Sequence, residues 1–218
     1  MIAARHDFAN RQELAATLAV NVARALSHAI TAQGRAVLAV SGGTTPSLFF
    51  EHLSQQPITW EKVTVTLVDE REVPDGHPRS NARLVKAALM INHAAEATFV
   101  PLYKNHKRAS LLVPACVVLG MGEDGHTASF FPGGDQLSLA LDPSSAKGLV
   151  SMQAETAGEP RVTFTLSRLL MARAIFLHIE GAKKLAVLKR AESGRDIMHM
   201  PIRAFLKSSR PLDVFWCP

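Results

Sequence analysis

The order of apolar segments predicts an α/β fold: a mostly parallel sheet flanked by helices. Short apolar runs without alternation, such as Ala36 to Val40 and Ala115 to Leu119, read as strands covered on both faces. Segments with a helical apolar period follow them, and glycine- and proline-rich turns separate the two kinds of segment. Strands alternating with helices give this class of fold, and ligands of such folds bind beyond the carboxyl ends of the strands.

From Asn10 to Gln33, Leu14, Leu18, Val22 and Leu26 recur every fourth position and Gly34 stands as a stop, which predicts an amphipathic helix. The strand Ala36 to Val40 empties into Ser41-Gly42-Gly43-Thr44-Thr45-Pro46. There Thr44 or Thr45 is placed to cap a helix that has Pro46 in its first turn and runs through Leu48, Phe49 and Leu53. Val63 to Val68 is a second strand, with Asp69-Glu70-Arg71-Glu72-Val73-Pro74 at its end. Ser80 or Asn81 caps the next helix, which carries Leu84, Ala87, Ala88 and Ile91. Ala115 to Leu119 leads into the glycine-rich segment Gly120 to His126. Arg161 to Leu166 and Ala174 to Ile179 read as strands, each followed by a helical pattern, and Val214 to Cys217 as a last strand. No repeat or linker divides the chain, so residues 1–218 are expected to form a single domain.

With 47% hydrophobic and 20% charged residues, the chain has the composition of an ordinary globular protein. Its formal charge of +5 invites an anionic partner. The basic residues are scattered singly or in pairs without interleaved aromatic platforms, so nucleic acid is not the expected partner. Cys116 and Cys217 lie in apolar runs and are expected to be reduced and buried. The first residues hold no secretory apolar core, and no stretch reads as long and apolar enough to span a bilayer. A cytoplasmic protein without a membrane partner is expected. Oligomeric state is not fixed, a monomer being the favoured expectation.

Three loops carry chemistry, and each follows a predicted strand, so one edge of the sheet can gather them. In Ser41 to Pro46 the paired glycines let backbone amides approach an anion, and the following helix offers the positive end of its dipole. The same pattern also suits a plain turn. It has neither the lysine of a Walker loop nor the spacing of a dinucleotide fingerprint. In Gly120 to Thr127, His126 stands on a glycine-rich turn at a strand end, where a side chain titrating near neutrality suits a general base. Asp69, Glu70 and Arg71 form either an ion-paired surface turn or an anion clamp in which the forked guanidinium of Arg71 binds phosphate and the acids orient it. Lys184, at a helix start after Gly181, is a second candidate cation. No His-x-x-x-His or Cys-x-x-Cys spacing supports zinc, so no metal is expected.

Together these segments resemble the 6-phosphogluconolactonase family, whose pattern has a Ser-Gly-Gly-Ser/Thr-x-Pro loop, an Asp-Glu-Arg-x-Val-Pro turn leading to Ser-Asn, and Gly-Met-Gly-x-Asp-Gly-His-Thr-Ala-Ser-Leu-Phe-Pro. Here they stand as Ser41 to Pro46, Asp69 to Pro74 with Ser80-Asn81, and Gly120 to Pro132. Arg161 to Leu166 and Gly181 to Lys184 also resemble later blocks of the family. The resemblance implies a Rossmann-like α/β fold shared with glucosamine-6-phosphate deaminases, and hydrolysis of 6-phospho-D-glucono-1,5-lactone to 6-phosphogluconate without a cofactor. Carried over, it makes His126 the base that activates water, with backbone amides or Arg71 stabilising the oxyanion. It puts Ser41, Gly42, Gly43, Thr44, Thr45, Arg71 and Lys184 on the phosphate. Asp69 becomes a second catalytic candidate near the sugar, and Asn81, Gly122, Asp124 and Gly125 line the substrate site.

Three departures stand out. Tyr103 to Pro114 leaves little more than a loop where the family has more chain. Phe130 replaces a leucine, and Pro201-Ile202-Arg203-Ala204 brings in Arg203 as a further candidate phosphate contact. A deaminase or isomerase would need a glutamate five residues after the histidine, and that position is Phe131. A sugar-phosphate sensor domain normally accompanies a helix-turn-helix module, for which the pattern leaves no room.

Overall fold

The computed structural model describes residues 2–74, 76–103 and 105–218. The chain opens with β1 (Ile2–Asp7), α1 (Arg11–Gln33), β2 (Ala36–Val40), α2 (Ser47–Ser54), β3 (Val63–Leu67), β4 (Asp69–Arg71), α3 (Asn81–Ala88) and β5 (Thr98–Phe99). It continues with α4 (His106–Ala109), β6 (Cys116–Leu119), α5 (Leu137–Leu141), β7 (Leu149–Met152) and β8 (Arg161–Phe164). The last elements are α6 (Leu166–Leu169), β9 (Ala174–Glu180), α7 (Ala182–Ser193), α8 (Arg203–Leu206) and β10 (Leu212–Cys217). Seven strands form one parallel sheet in the order β1-β10-β9-β6-β2-β3-β5. A second, antiparallel sheet has the order β4-β8-β7.

The central strands are apolar on both faces because helices cover both. Leu38, Ala39 and Val40 of β2 and Cys116, Val117 and Leu119 of β6 are fully buried. The long helix α1 starts where the Asn10 side chain accepts a hydrogen bond from the Glu13 amide at 2.9 Å and ends at Gly34, which takes the left-handed conformation (φ 73°). By length and composition alone α1 is apolar enough to cross a membrane, with a mean hydropathy of 1.2, contrary to the expectation from the sequence. Its Leu14, Leu18, Val22 and Leu26 are fully buried and it packs on the sheet and α2, so its apolarity is that of a core helix.

The first residues, for which the sequence predicts no element, form β1, an edge strand paired with β10; its alternating burial is the weak pattern of an edge and not an apolar run. Three further expectations are corrected. Neither Thr44 nor Thr45 caps α2, whose N-cap position is Pro46 without a side-chain hydrogen bond. The strand at Arg161 joins the small antiparallel sheet rather than the parallel one, pairing with β4 and β7. Arg203 contacts no anion site: it is buried, and it donates to the carbonyl oxygens of Ala191 (3.1 Å), Asp196 (2.9 Å) and Arg190 (3.1 Å). It thereby satisfies carbonyls at the C-terminal end of α7, where helices leave them unpaired. Within the Tyr103 to Pro114 segment the described residues include the short helix α4.

Candidate active site

The order of strands positions the site. From β2 the chain moves outward to β3 on one side, and β6 returns on the other, so the loops leaving β2 and β6 diverge and open a crevice at their carboxyl ends. These are the loops Ser41 to Pro46 and Gly120 to Thr127. Hydrogen bonds tie them at the base: the Ser41 amide donates to the Val118 carbonyl at 2.9 Å, and the Gly120 amide donates to Ser41 Oγ at 3.0 Å. The crevice is a cleft of about 390 Å³, and residues 41–46, Asp69, Arg71, Asn81, Gly122, His126 and Lys184 all line it. The imidazole and the glycine turn therefore face the same space.

His126 is held from two directions. Its Nδ1 lies 2.6 Å from Asp124 Oδ1, which also accepts from the His126 amide at 3.0 Å, and its ring packs against Phe131 with centroids 4.5 Å apart. Burial alone would push the Asp124 carboxyl up. The hydrogen bond and charge of His126, with backbone amide donors, outweigh it and hold the group below the usual aspartate range. An ionised Asp124 can only accept, so Nδ1 carries the proton of the neutral ring and the Nε2 lone pair is left over. This arrangement suits a general base. Gly122 is required by the close approach, because a Cβ there would overlap His126 Nδ1 and crowd Asp124.

Arg71 is fixed by the segment that follows it. Its Nη1 donates to the Arg79 carbonyl at 2.7 Å and to Asn81 Oδ1 at 2.8 Å. The buried Glu70 organises this turn: its carboxylate accepts from the amides of Arg71, Asn81 and Ala82 and from Ser80 Oγ, at 2.7 to 3.1 Å. An acid at the start of α3 also suits the helix dipole. As expected, Ser80 is the cap of α3, accepting from the Arg83 amide. Lys184 reaches the cleft from the first turn of α7. Desolvation lowers its pKa, and the charges of Glu123 and Asp124 oppose that shift.

Several expected ligand-binding residues have side chains committed elsewhere. Asn81 accepts from Arg71 and donates to the Asp69 carbonyl at 3.0 Å, so it orients the wall of the cleft. Ser41 Oγ accepts from the Gly120 amide, which leaves its hydroxyl proton to donate into the cleft. Asp124 and Gly125 do not line the cleft: the first serves His126, and the second is a turn residue at φ 83°. Asp69 lies in the cleft wall, but its Oδ2 accepts from Ser129 Oγ at 2.5 Å and faces Arg161 Nη1 at 3.8 Å. The sequence did not single out the cleft residues Arg79, Arg161, His178 and Glu180. Arg161 opens a segment that resembles a block of the family, and His178 and Glu180 are two polar residues at strand spacing on one face of β9. Among the described residues no group of three or more histidines, cysteines, aspartates or glutamates is placed to hold a metal.

Comparison with known proteins gives the family. The family model described as glucosamine-6-phosphate isomerases/6-phosphogluconolactonase matches residues 9–216. The 6-phosphogluconolactonase of Rhizobium meliloti (strain 1021) is 51% identical over 232 residues, covering 100% of both chains. That of Mesorhizobium japonicum is 49% identical, covering 97% of this chain and 94% of its own. The crystal structure of a 6-phosphogluconolactonase from Shewanella baltica OS155 superposes with a TM-score of 0.95 at 37% identity, over 99% of this chain and 97% of that one. The chain belongs to the glucosamine-6-phosphate isomerase/6-phosphogluconolactonase family.

Proposed function

We propose that the chain hydrolyses 6-phospho-D-glucono-1,5-lactone to 6-phosphogluconate, in the oxidative pentose phosphate pathway, by general-base activation of water at His126. The observation that carries this reading is the shared cleft, in which an imidazole oriented by a carboxylate faces a glycine turn able to hold phosphate. The backbone of Gly42 to Thr45, the guanidinium of Arg71 and the ammonium of Lys184 bind the 6-phosphate and leave C1 against a water on His126 Nε2. As the water oxygen bonds to C1, its proton passes to Nε2. The tetrahedral oxyanion then collapses, the bond from C1 to the ring oxygen breaks, and the imidazolium returns the proton to that oxygen. Asp124 stabilises the imidazolium between the two transfers. Phe131, which exchanges no proton, packs on His126 where a deaminase would need a glutamate. Two buried, unpaired cysteines suit a reducing cytoplasm.

A pH-stat comparison of the phosphorylated lactone with plain gluconolactone, corrected for spontaneous opening, tests the assignment. A strong preference for the phosphorylated ester is expected; equal rates would remove the glycine turn, Arg71 and Lys184 from recognition.

Lys184 adds a pH signature. Its lowered pKa means that the free protein begins to lose this charge below the ordinary lysine range, and a phosphate dianion restores it. Affinity for 6-phosphogluconate is therefore expected to fall as pH rises through the lowered pKa, with a proton taken up on binding. Calorimetry at alkaline pH in buffers of different ionisation enthalpy reads that proton; no buffer dependence would contradict the placement.

A further inference from the structure

We propose that Arg161 is a further catalytic residue, the cation that holds the C1 oxygen of the lactone as it becomes an oxyanion and then the carboxylate of the product. The inference deepens the proposed function and rests on it.

Pairing of β4 with β8 sets Arg161 directly opposite Arg71, and Arg79 lines the same wall. Like charges facing each other across a ladder oppose folding. Arg161 is also costly in itself, being 6% exposed with little to satisfy it. Of its donors Nη2 reaches the Ala157 carbonyl at 2.9 Å, Nε has no partner, and Nη1 stands 3.8 Å from Asp69 Oδ2, beyond hydrogen-bonding distance. Asp69 is already engaged by Ser129. Burial depresses the pKa of Arg161, partly offset by Asp69, yet a guanidinium stays charged. A desolvated, incompletely paired guanidinium in a cleft wall is a site whose acceptor arrives with the ligand.

Its position identifies which end of the ligand. The guanidinium carbon lies 5.4 Å from the centre of the Phe131 ring, and the same ring packs at 4.5 Å on His126. One aromatic side chain thus spaces the cation from the base, placing both at the end of the substrate where water attacks. Arg71 shares the unpartnered Nε, which stands 4.0 Å from Glu159, but its Nη1 is already divided between the Arg79 carbonyl and Asn81 Oδ1, so it is the better satisfied of the two cations. No covalent step involves Arg161; it supplies charge-assisted donors to an oxygen that gains charge in the transition state.

The test compares two open-chain ligands that differ only at C1: 6-phosphogluconate, with a carboxylate, and glucitol 6-phosphate, with a hydroxymethyl group. Dissociation constants are measured for the wild type, Arg161→Met and Arg161→Gln, the second retaining a donor for the Ala157 carbonyl, alongside kcat and KM for the lactone. The wild type is expected to favour the carboxylate. Both variants are expected to bind 6-phosphogluconate about ten- to a hundredfold more weakly, with glucitol 6-phosphate changed less than about threefold and the loss in turnover falling on kcat. Equal weakening of the two ligands, or of neither, overturns the proposal. So does a wild type that binds both alike, a result that needs no variant to fold. A wild type that fails to open the phosphorylated lactone sinks the proposed function instead, whatever the binding contrast reads.

Discussion

His126→Ala is expected to lower kcat by roughly 10²–10⁴-fold while KM stays within a small factor. The ring contributes a proton acceptor at one atom, Nε2, and that atom is free because Nδ1 is tied to Asp124 at 2.6 Å. Substrate affinity comes from the phosphate end, which the substitution leaves intact. Initial-rate kinetics by pH-stat separate the two parameters; an unchanged kcat would take His126 out of the chemistry. Asp124→Asn should give a loss of the same kind, because an amide no longer stabilises an imidazolium and, by donating to Nδ1, leaves the ring proton on Nε2.

Gly122→Ala is expected to cost nearly as much as removing the imidazole, although it adds one methyl group. The new Cβ would overlap Nδ1 of His126 and crowd the Asp124 carboxylate, so either the ring leaves its place or the turn opens. The fall should appear in kcat. Gly42→Ala is the matching control at the other end of the cleft: its Cβ would overlap Asn81 Oδ1, the atom that accepts from Arg71, so its effect should appear chiefly in KM. Kinetics on the two variants check the division. Equal effects on KM from both would mean that the two glycine turns do not serve separate ends of one ligand.

The parts of this molecule legible in the sequence are those whose cause is local. β2 and β6 are apolar runs because helices cover both faces, and α1 announces itself by its period and by Asn10 and Gly34 at its ends. Both loops of the site could be placed because strand ends and glycine turns are written in consecutive residues. The antiparallel sheet could not. β4 is three residues long, too short for a period, and its partner β8 lies far along the chain, as does β7, which pairs with β8. That pairing brings Arg161 to Arg71 and Asp69, so Arg161 was legible as part of a family block and a strand but not as a residue of the cleft. Partner choice was hidden for the same reason. Asn81 and Asp124 were placed among the ligand-binding residues, but their side chains are taken up by Arg71 and His126 through geometry that spacing does not encode.

The proposed reaction requires one ligand to bridge the glycine turn and the imidazole. A crystal structure with 6-phosphogluconate bound tests this directly. The expected result is a phosphate on the backbone amides of Gly42 to Thr45 with Arg71 and Lys184 beside it, and C1 within one water of His126 Nε2. A phosphate bound outside the Ser41 loop, or a C1 turned away from His126 with the phosphate in place, would contradict it.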